Sequence, residues 1–517
     1  MVRIKSADEI PGGGGRNVRK NYPVLSIFCL LILSLLCVPT FSDVEEAEKQ
    51  MELSLQNCIT LVLKSNLNIR IQRISPQIQD ALVTIAQGRF DPSLTFTPNV
   101  NASEEPSPTP FLSGADVRTS NTQAATLSLD DPVATGGSYG LSFNSNRSES
   151  NSRLQTLNPA YRSGLTLSAT QPLLEGFGAV NKASIALARN NKDISVLRLK
   201  AQLIQTLSEV QDIYWELVFA QENLKVQQLA LKRAQDLLTI NQRRKEVGKS
   251  TLSDVLQAQA AVASREADVI AAQDVVKDVE DRLKRVTNMI QDESIWNVSI
   301  LPVGMPAFEA VRVDLQESLV QALQNRPEYA QTKIDLENSD ISIKVAKNQR
   351  LPRLDLEGTL AFNGLGGDLD DPLSQVGKRE HGTWRAGLFL RVPIGGRETK
   401  AALKKSQLEK EQGLLALQDL EQQIITQVRG AVRQLETDSK RIDATKAAEE
   451  FARQALLAEE KKYELGLSTS HDLLQFQAEL VTAARNHLRS VIDYRQSIVA
   501  LYQALGVTLE ELNIQLE

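Results

Sequence analysis

Histidine and cysteine are almost missing from this chain, with three of each in 517 residues. His381, His471 and His487 are scattered, and there is no His-Glu-x-x-His helix, phosphate-binding glycine loop or nucleophile elbow. The usual marks of an enzyme are therefore lacking, and no catalytic residue, metal site or cofactor is read. His471 beside Asp472 does not make a ligand pair, because neighbours on a helix point about 100° apart. Aromatic residues are also scarce, at 5 %, which argues against a large aromatic core and suits long helices. The net charge of −6 comes without a basic stripe, so nucleic acid is not an expected partner. After residue 42 no uncharged run approaches the roughly 20 residues a membrane helix needs. An exported chain of this kind either stays soluble or crosses a membrane as strands.

Residues 1–42 read as a secretory signal. Arg16, Arg19 and Lys20 precede an apolar run from Val24 to Val38, and Thr40-Phe41-Ser42 supplies small residues for cleavage. Cys29 and Cys37 leave with it, and neither follows a small residue of the kind lipid attachment wants. Cys58 is then the single mature cysteine. It forms no internal disulfide and reads as a small core residue on an apolar helix face.

What the chain does have is a duplication. The stretch from Gly248 to Ala260 returns 218 residues later as Gly466 to Ala478, with eight of thirteen pairs identical. A second set, Leu55, Gln56, Leu63, Ile74, Asp80, Ala86, Pro92 and Leu94, recurs at an offset of 260 as Leu315, Gln316, Leu323, Ile334, Asp340, Ala346, Pro352 and Leu354. One structural unit has been built twice. The first repeat is read over 43–300 and the second over 313–517, joined by a linker at 301–312.

Within each repeat the order is helix, β-segment, long helix, tight turn and returning helix. Between Gly178 and Gly248 lie 69 residues without glycine or proline, room for a helix of roughly 100 Å. Leu203, Leu207, Val210, Tyr214, Leu217, Gln221, Leu224, Gln228 and Leu231 alternate spacings of four and three, which predicts a coiled-coil seam. The long hairpins are placed at about 179–290, turning at Gly248, and about 397–506, turning at Gly466. Strand alternation marks the β-segments at about 92–172 and 352–393: Leu94, Phe96 and Val100 alternate with polar neighbours, as do Leu165 and Leu167, Leu354, Leu356 and Leu360, and Trp384, Leu388 and Leu390. That period fits a membrane barrel and fits an ordinary half-buried sheet equally. The first β-segment carries about 40 extra residues, including an additional hairpin over 123–146, which either joins the barrel or forms an external flap. Gly364 to Asp371 reads as a solvated hairpin loop in preference to a calcium site. Arg243-Arg244-Lys245 reads as a solvated helix end, or more sharply as a partner contact.

These features together resemble the TolC-type outer-membrane efflux factors. The resemblance rests on the opening Leu53-Ser-Leu-Gln-Asn-Cys and its second copy Val313-Asp-Leu-Gln-Glu-Ser, on Gln171-Pro172-Leu173 and Val392-Pro393-Ile394, and on the duplicated Gly-x5-Asp-x-Leu-Gln turn. It implies a mainly α protein whose long helical hairpins form an α-barrel, with strands given to a shared trimeric β-barrel. The implied activity is that of a passive exit duct in a tripartite efflux or type I secretion system. The implied partners are two further copies, a periplasmic adaptor, an inner-membrane pump of resistance-nodulation-division, ABC or similar type, and outer-membrane lipid. Four to six strands per chain argue for several copies independently, since the smallest outer-membrane barrels have eight.

By the same resemblance, Gly248 and Gly466 are tip turns that touch the adaptor. Asp472 matches a carboxylate ring at the narrowest point, whose next member falls here at Gln475. Asp254 and Tyr463 match positions hydrogen-bonded to one another to hold the tip shut, and the arginine that joins them is Ser468 here. Helix capping explains Asp254 as well as gating does; for Asp472 the gate is the preferred reading. The rival function is a non-conducting periplasmic coiled-coil spacer, which would leave the alternating strands unexplained.

Overall fold

The computed structural model describes residues 50–304 and 311–515. The signal segment 1–42 and the middle of the 301–312 linker lie outside the described residues. In chain order the first repeat runs β1 (Gln50–Leu53), α1 (Leu55–Ser65), α2 (Leu67–Gln87), β2 (Ser93–Pro106), a short α3 (Pro110–Ser113), β3 (Val117–Pro132), β4 (Ser138–Ser150), β5 (Ala160–Pro172), α4 (Ala183–Glu246) and α5 (Leu252–Val286). β6 (Ser299–Pro302) leads from it into the linker, and the second repeat runs α6 (Leu315–Asn325), α7 (Pro327–Asn348), β7 (Arg353–Gly366), α8 (Asp370–Lys378), β8 (Gly382–Arg391), α9 (Arg397–Glu464), α10 (Ser470–Leu505) and α11 (Thr508–Glu511). Mainly helical, with one strand-rich portion, this is the fold class the patterning predicts.

The duplication shows at the helix starts. Ser54 caps α1 by accepting from the Asn57 backbone N–H at 3.2 Å, and Asp314 caps α6 by accepting from Glu317 at 2.9 Å. A side-chain oxygen one residue before the helix satisfies a backbone donor that would otherwise lack a partner. Both short helices then meet the long ones. Cys58, Ile59, Val62 and Ile69 pack with Leu203, Leu207, Val210, Tyr214 and Leu217 of α4 and with Leu283 of α5. The second half builds its own cluster from Ala322, Ile424, Val428, Leu435, Tyr494 and Leu501. β1 and β6 pair in parallel, tying the start of the first repeat to the passage from its end into the linker.

The seam holds as predicted from Leu203 to Leu217 and then drifts. Beyond that point the buried positions are Val218, Phe219, Ala220, Gln227, Ala230, Ala234, Leu237 and Asn241, while Gln228 is exposed. The seam expected at Gln228 and Leu231 is thus one residue out. The buried face changes with the neighbours: towards the tip Leu237 of α4 packs with Leu456, Leu473 and Leu480 of the second hairpin, a larger shift than the slip of about 20° per heptad between 3.6 and 3.5 residues per turn could give.

All the longer strands belong to one antiparallel sheet ordered β2-β3-β4-β5-β7-β8. The inserted residues thread into this sheet as β3 and β4, between β2 and β5. One face carries an apolar band that the register aligns from strand to strand. Leu94 pairs with Leu129, Leu129 with Leu141, Leu141 with Leu167, Leu167 with Leu360, and Leu360 with Trp384. The band is open to its surroundings, with Leu94 70 % and Trp384 77 % exposed. Ser128, Ser142 and Thr166 occupy the neighbouring rungs on the other face. Among the described residues no helix is long and apolar enough to cross a membrane.

Candidate functional site

The duplicated turns lie at the ends of the two helical hairpins, α4/α5 and α9/α10. Each uses glycine for a backbone reason. Gly248 has φ +71° and Gly466 φ +75°, with open space where a Cβ would sit. At both turns the glycine N–H and the next residue's N–H reach back to the last carbonyls of the arriving helix, the left-handed C-terminal closure that glycine makes easily. The returning helices open in the same way. Thr251 accepts from the Asp254 N–H at 3.2 Å, and the Asp254 carboxylate accepts from the Thr251 N–H at 2.8 Å and hydroxyl at 2.7 Å. Thr469 and Asp472 repeat the box, with 3.2 Å for the first bond and 2.7 Å for the hydroxyl.

Both expected gate carboxylates are therefore helix caps. Hydrogen bonds from Thr251 hold Asp254 below the ordinary carboxylate range, and those from Thr469 do the same for Asp472. Each is consequently anionic at neutral pH, and each uses Oδ2 within its own turn. Gln475 is exposed and donates to Glu479 at 3.0 Å. Ser468 donates to Glu459, which also holds Lys462 at 2.9 Å.

The bond expected between Asp254 and Tyr463 is not made. Tyr463, 6 % exposed, donates its hydroxyl to Oδ1 of Asn241 and lies 3.1 Å from the Ser470 hydroxyl. Asn241 is fully buried. Its amide donates to Ser470 at 3.0 Å and to the Asp254 backbone carbonyl at 3.2 Å. Asp254 is thus joined to the tyrosine through Asn241 and by its main chain alone. The reason is reach: the Asp254 carboxylate has turned towards its own helix start, and Asn241 supplies both the donor and the acceptor that a carboxylate cannot.

An arginine still enters the network, from the opposite hairpin to the one expected. The Arg244 guanidinium sits 4.3 Å from the centre of the Tyr463 ring and donates to the carbonyls of Tyr463 at 3.0 Å and Glu464 at 3.4 Å. Leu237, Leu456, Leu473 and Leu480 pack beneath. Four helix ends thus meet at one buried polar cluster, and every link in it crosses between hairpins or closes a turn. Sequence reasoning missed Asn241 and Ser470. The seam, had it been carried one residue back, would have marked Asn241 as a polar residue at a buried position.

Comparison with known proteins follows from this geometry. Residues 138–289 and 318–507 match the family model described as outer membrane efflux protein. The chain is 26 % identical over 302 residues to the outer membrane protein TolC of Vibrio cholerae, covering 58 % of this chain and 67 % of that protein. It is 25 % identical over 362 residues to the alkaline protease secretion protein AprF of Pseudomonas aeruginosa, covering 68 % and 71 %. The fold is similar to that of the outer-membrane channel OprN, with a TM-score of 0.66, 18 % identity, and 87 % and 89 % of the two chains covered.

Proposed function

The chain belongs to the outer membrane efflux protein family and is an outer-membrane efflux channel reaching into the periplasm, and from that premise we propose a homotrimeric exit duct latched at its periplasmic tip by Asn241, Tyr463 and Ser470. The observation that carries the latch is the buried cluster joining α4 to α9 and α10. Opening parts the two hairpins, and the closed state is favoured by whatever contacts exist in it alone.

The sheet calls for more than one copy, and the number three is the one the resemblance to TolC-type factors implies. β2 and β8 are its edges, and a bilayer leaves no unpaired edge exposed to lipid. Pairing β2 of one copy with β8 of the next closes the wall. The same operation brings the tips round one axis, where three Asp472 carboxylates would attract cations and repel anions. Capping and ring formation are compatible, because a cap fixes the carboxylate near the helix start. The exposed apolar residues of the turns, Val247 and Leu252 on one hairpin and Leu465 and Leu467 on the other, suit contact with a periplasmic adaptor that bridges to an inner-membrane pump. Energy comes from the pump, and the duct conducts passively.

The test is planar-bilayer conductance of the detergent-purified mature protein beside Asp472→Ala. A small cation-selective conductance that loses its selectivity in the variant is expected. Unchanged selectivity would discard the ring. A protein that extracts without detergent and conducts nothing would return the coiled-coil spacer.

A further inference from the structure

The two repeats do not contribute equally to the sheet. The second gives two strands, β7 and β8, while the first gives four, because β3 and β4 are inserted between β2 and β5. A symmetric duplication would have supplied two strands from each half. We propose that the inserted hairpin is part of the membrane wall, so that three copies close an eighteen-stranded barrel, half as wide again as the twelve-stranded barrel an unexpanded duplication would make. The count rests on the trimer proposed above.

The argument is one of register and chemistry. β3 pairs with β2 over the whole of Ser93–Pro106, and β4 pairs with β3 from Ser138 to Ser150. A flap would meet the sheet over a few residues at one end. The apolar band also continues without a gap: Leu129 and Leu141 stand in line with Leu94 before them and Leu167 after them. Leu127 and Phe143 form the next apolar rung. The opposite rungs, Ser128 with Ser142 and Thr126 with Asn144, are small and polar. Apolar towards lipid and polar towards a wet lumen is the alternation that a barrel strand needs. The short turn Val133–Gly137 fits the same picture. It stays at the helical end of the sheet, where the Gly178 N–H donates to Thr135 at 2.9 Å and the Thr135 hydroxyl donates to Gln171 at 2.9 Å.

Width follows from strand number. With strands about 4.8 Å apart and tilted about 40°, eighteen strands enclose about 36 Å between opposite backbones, against about 24 Å for twelve. Barrels of this strand number leave an aqueous channel. Small lumen side chains such as Ser128 and Ser142 occlude little of it. The barrel therefore passes bulky hydrated cargo without selecting among sizes, and discrimination is left to the tip.

Copy number by native mass measurement and strand count by electron cryomicroscopy of the detergent-solubilised protein test this together. Three copies with eighteen strands are expected. Three copies with twelve strands, and residues 117–150 outside the micelle belt, would overturn the inference and leave the trimer standing. Any other copy number would overturn the trimer, and the count with it. Cysteine labelling in intact membranes checks the hairpin separately. Cys58 is fully buried and gives no background. Ser128→Cys and Ser142→Cys should react with a charged maleimide at least tenfold faster than Leu127→Cys and Leu141→Cys, and equal rates on both faces would remove the hairpin from the wall.

Discussion

Replacing Asn241 with alanine isolates the latch from every other feature of the tip. The side chain is fully buried. Its amide donates to Ser470 at 3.0 Å and to the Asp254 carbonyl at 3.2 Å, and its oxygen accepts from Tyr463. Alanine removes all three bonds. A net hydrogen bond contributes about 0.5–1.5 kcal/mol, and a buried group left without a partner costs about 1–3 kcal/mol. Tyr463 keeps Ser470 at 3.1 Å, so the damage is partial and a loss of about 2–3 kcal/mol follows. If opening separates the hairpins, that loss falls on the closed state alone. The open-to-closed ratio then rises roughly 30- to 150-fold. Open probability in a planar bilayer reads this directly, and an unchanged circular-dichroism spectrum and copy number show that the rest of the molecule is intact. The comparison that decides is Asp254→Asn, which weakens a cap at a cost of about 1 kcal/mol while sparing the Asn241 cluster. Asn241→Ala must open the channel and Asp254→Asn must leave it nearly shut. The reverse order would mean that the carboxylate, and not the buried amide, holds the tip.

Three further outcomes are expected. Arg244→Gln removes the guanidinium over the Tyr463 ring and its bonds to the carbonyls of Tyr463 and Glu464; a partly exposed cation on an aromatic face is worth about 0.5–1 kcal/mol, so open probability should rise by less than in Asn241→Ala. Gly248→Ala and Gly466→Ala each place a Cβ in a left-handed backbone with no steric neighbour, costing about 1–2 kcal/mol; proteolysis at the tip should increase to a similar degree in both, and a large difference between them would show that the turns are not equivalent. Asp212, on α4, has its carboxyl pushed up to about 6 by burial and by Glu209 and Glu216. Below about pH 4 both folded and unfolded chains hold that proton. As pH rises to about 6 only the unfolded chain releases it, so stability falls across this window and the penalty is complete above it. Asp212→Asn should therefore raise Tm above pH 6, by an amount corresponding to about 1–2 kcal/mol after allowance for partial exposure, with no gain at pH 4. A gain independent of pH would refute that assignment.

How much of this was legible in the sequence depends on whether one residue or many carried the signal. The helices were legible, because dozens of positions without glycine or proline agree with one another. The turns were legible because each is stated twice. The strands were legible as alternation, yet the place of the inserted hairpin was not: period two is the same for a flap, a half-buried sheet and a barrel wall. The pairing of Leu129 with Leu94 and of Leu141 with Leu167 puts the hairpin within the sheet, and pairing is a property of two strands at once. The latch failed for the opposite reason. Asn241 is one amide in a 64-residue helix, and no neighbour in sequence distinguishes it from the exposed polar residues around it. Its importance comes from which neighbours the helix meets at the tip, where Leu237 packs with Leu456, Leu473 and Leu480 and that contact sets the buried face. A seam continued at Gln221, Gln228 and Leu231 leaves Asn241 off the buried face, whereas the observed seam through Gln227, Ala230, Ala234 and Leu237 runs straight into it. The helix that spans the distance to the tip thus changes its buried face as its partners change, and that change decides which side chain faces Tyr463 on arrival.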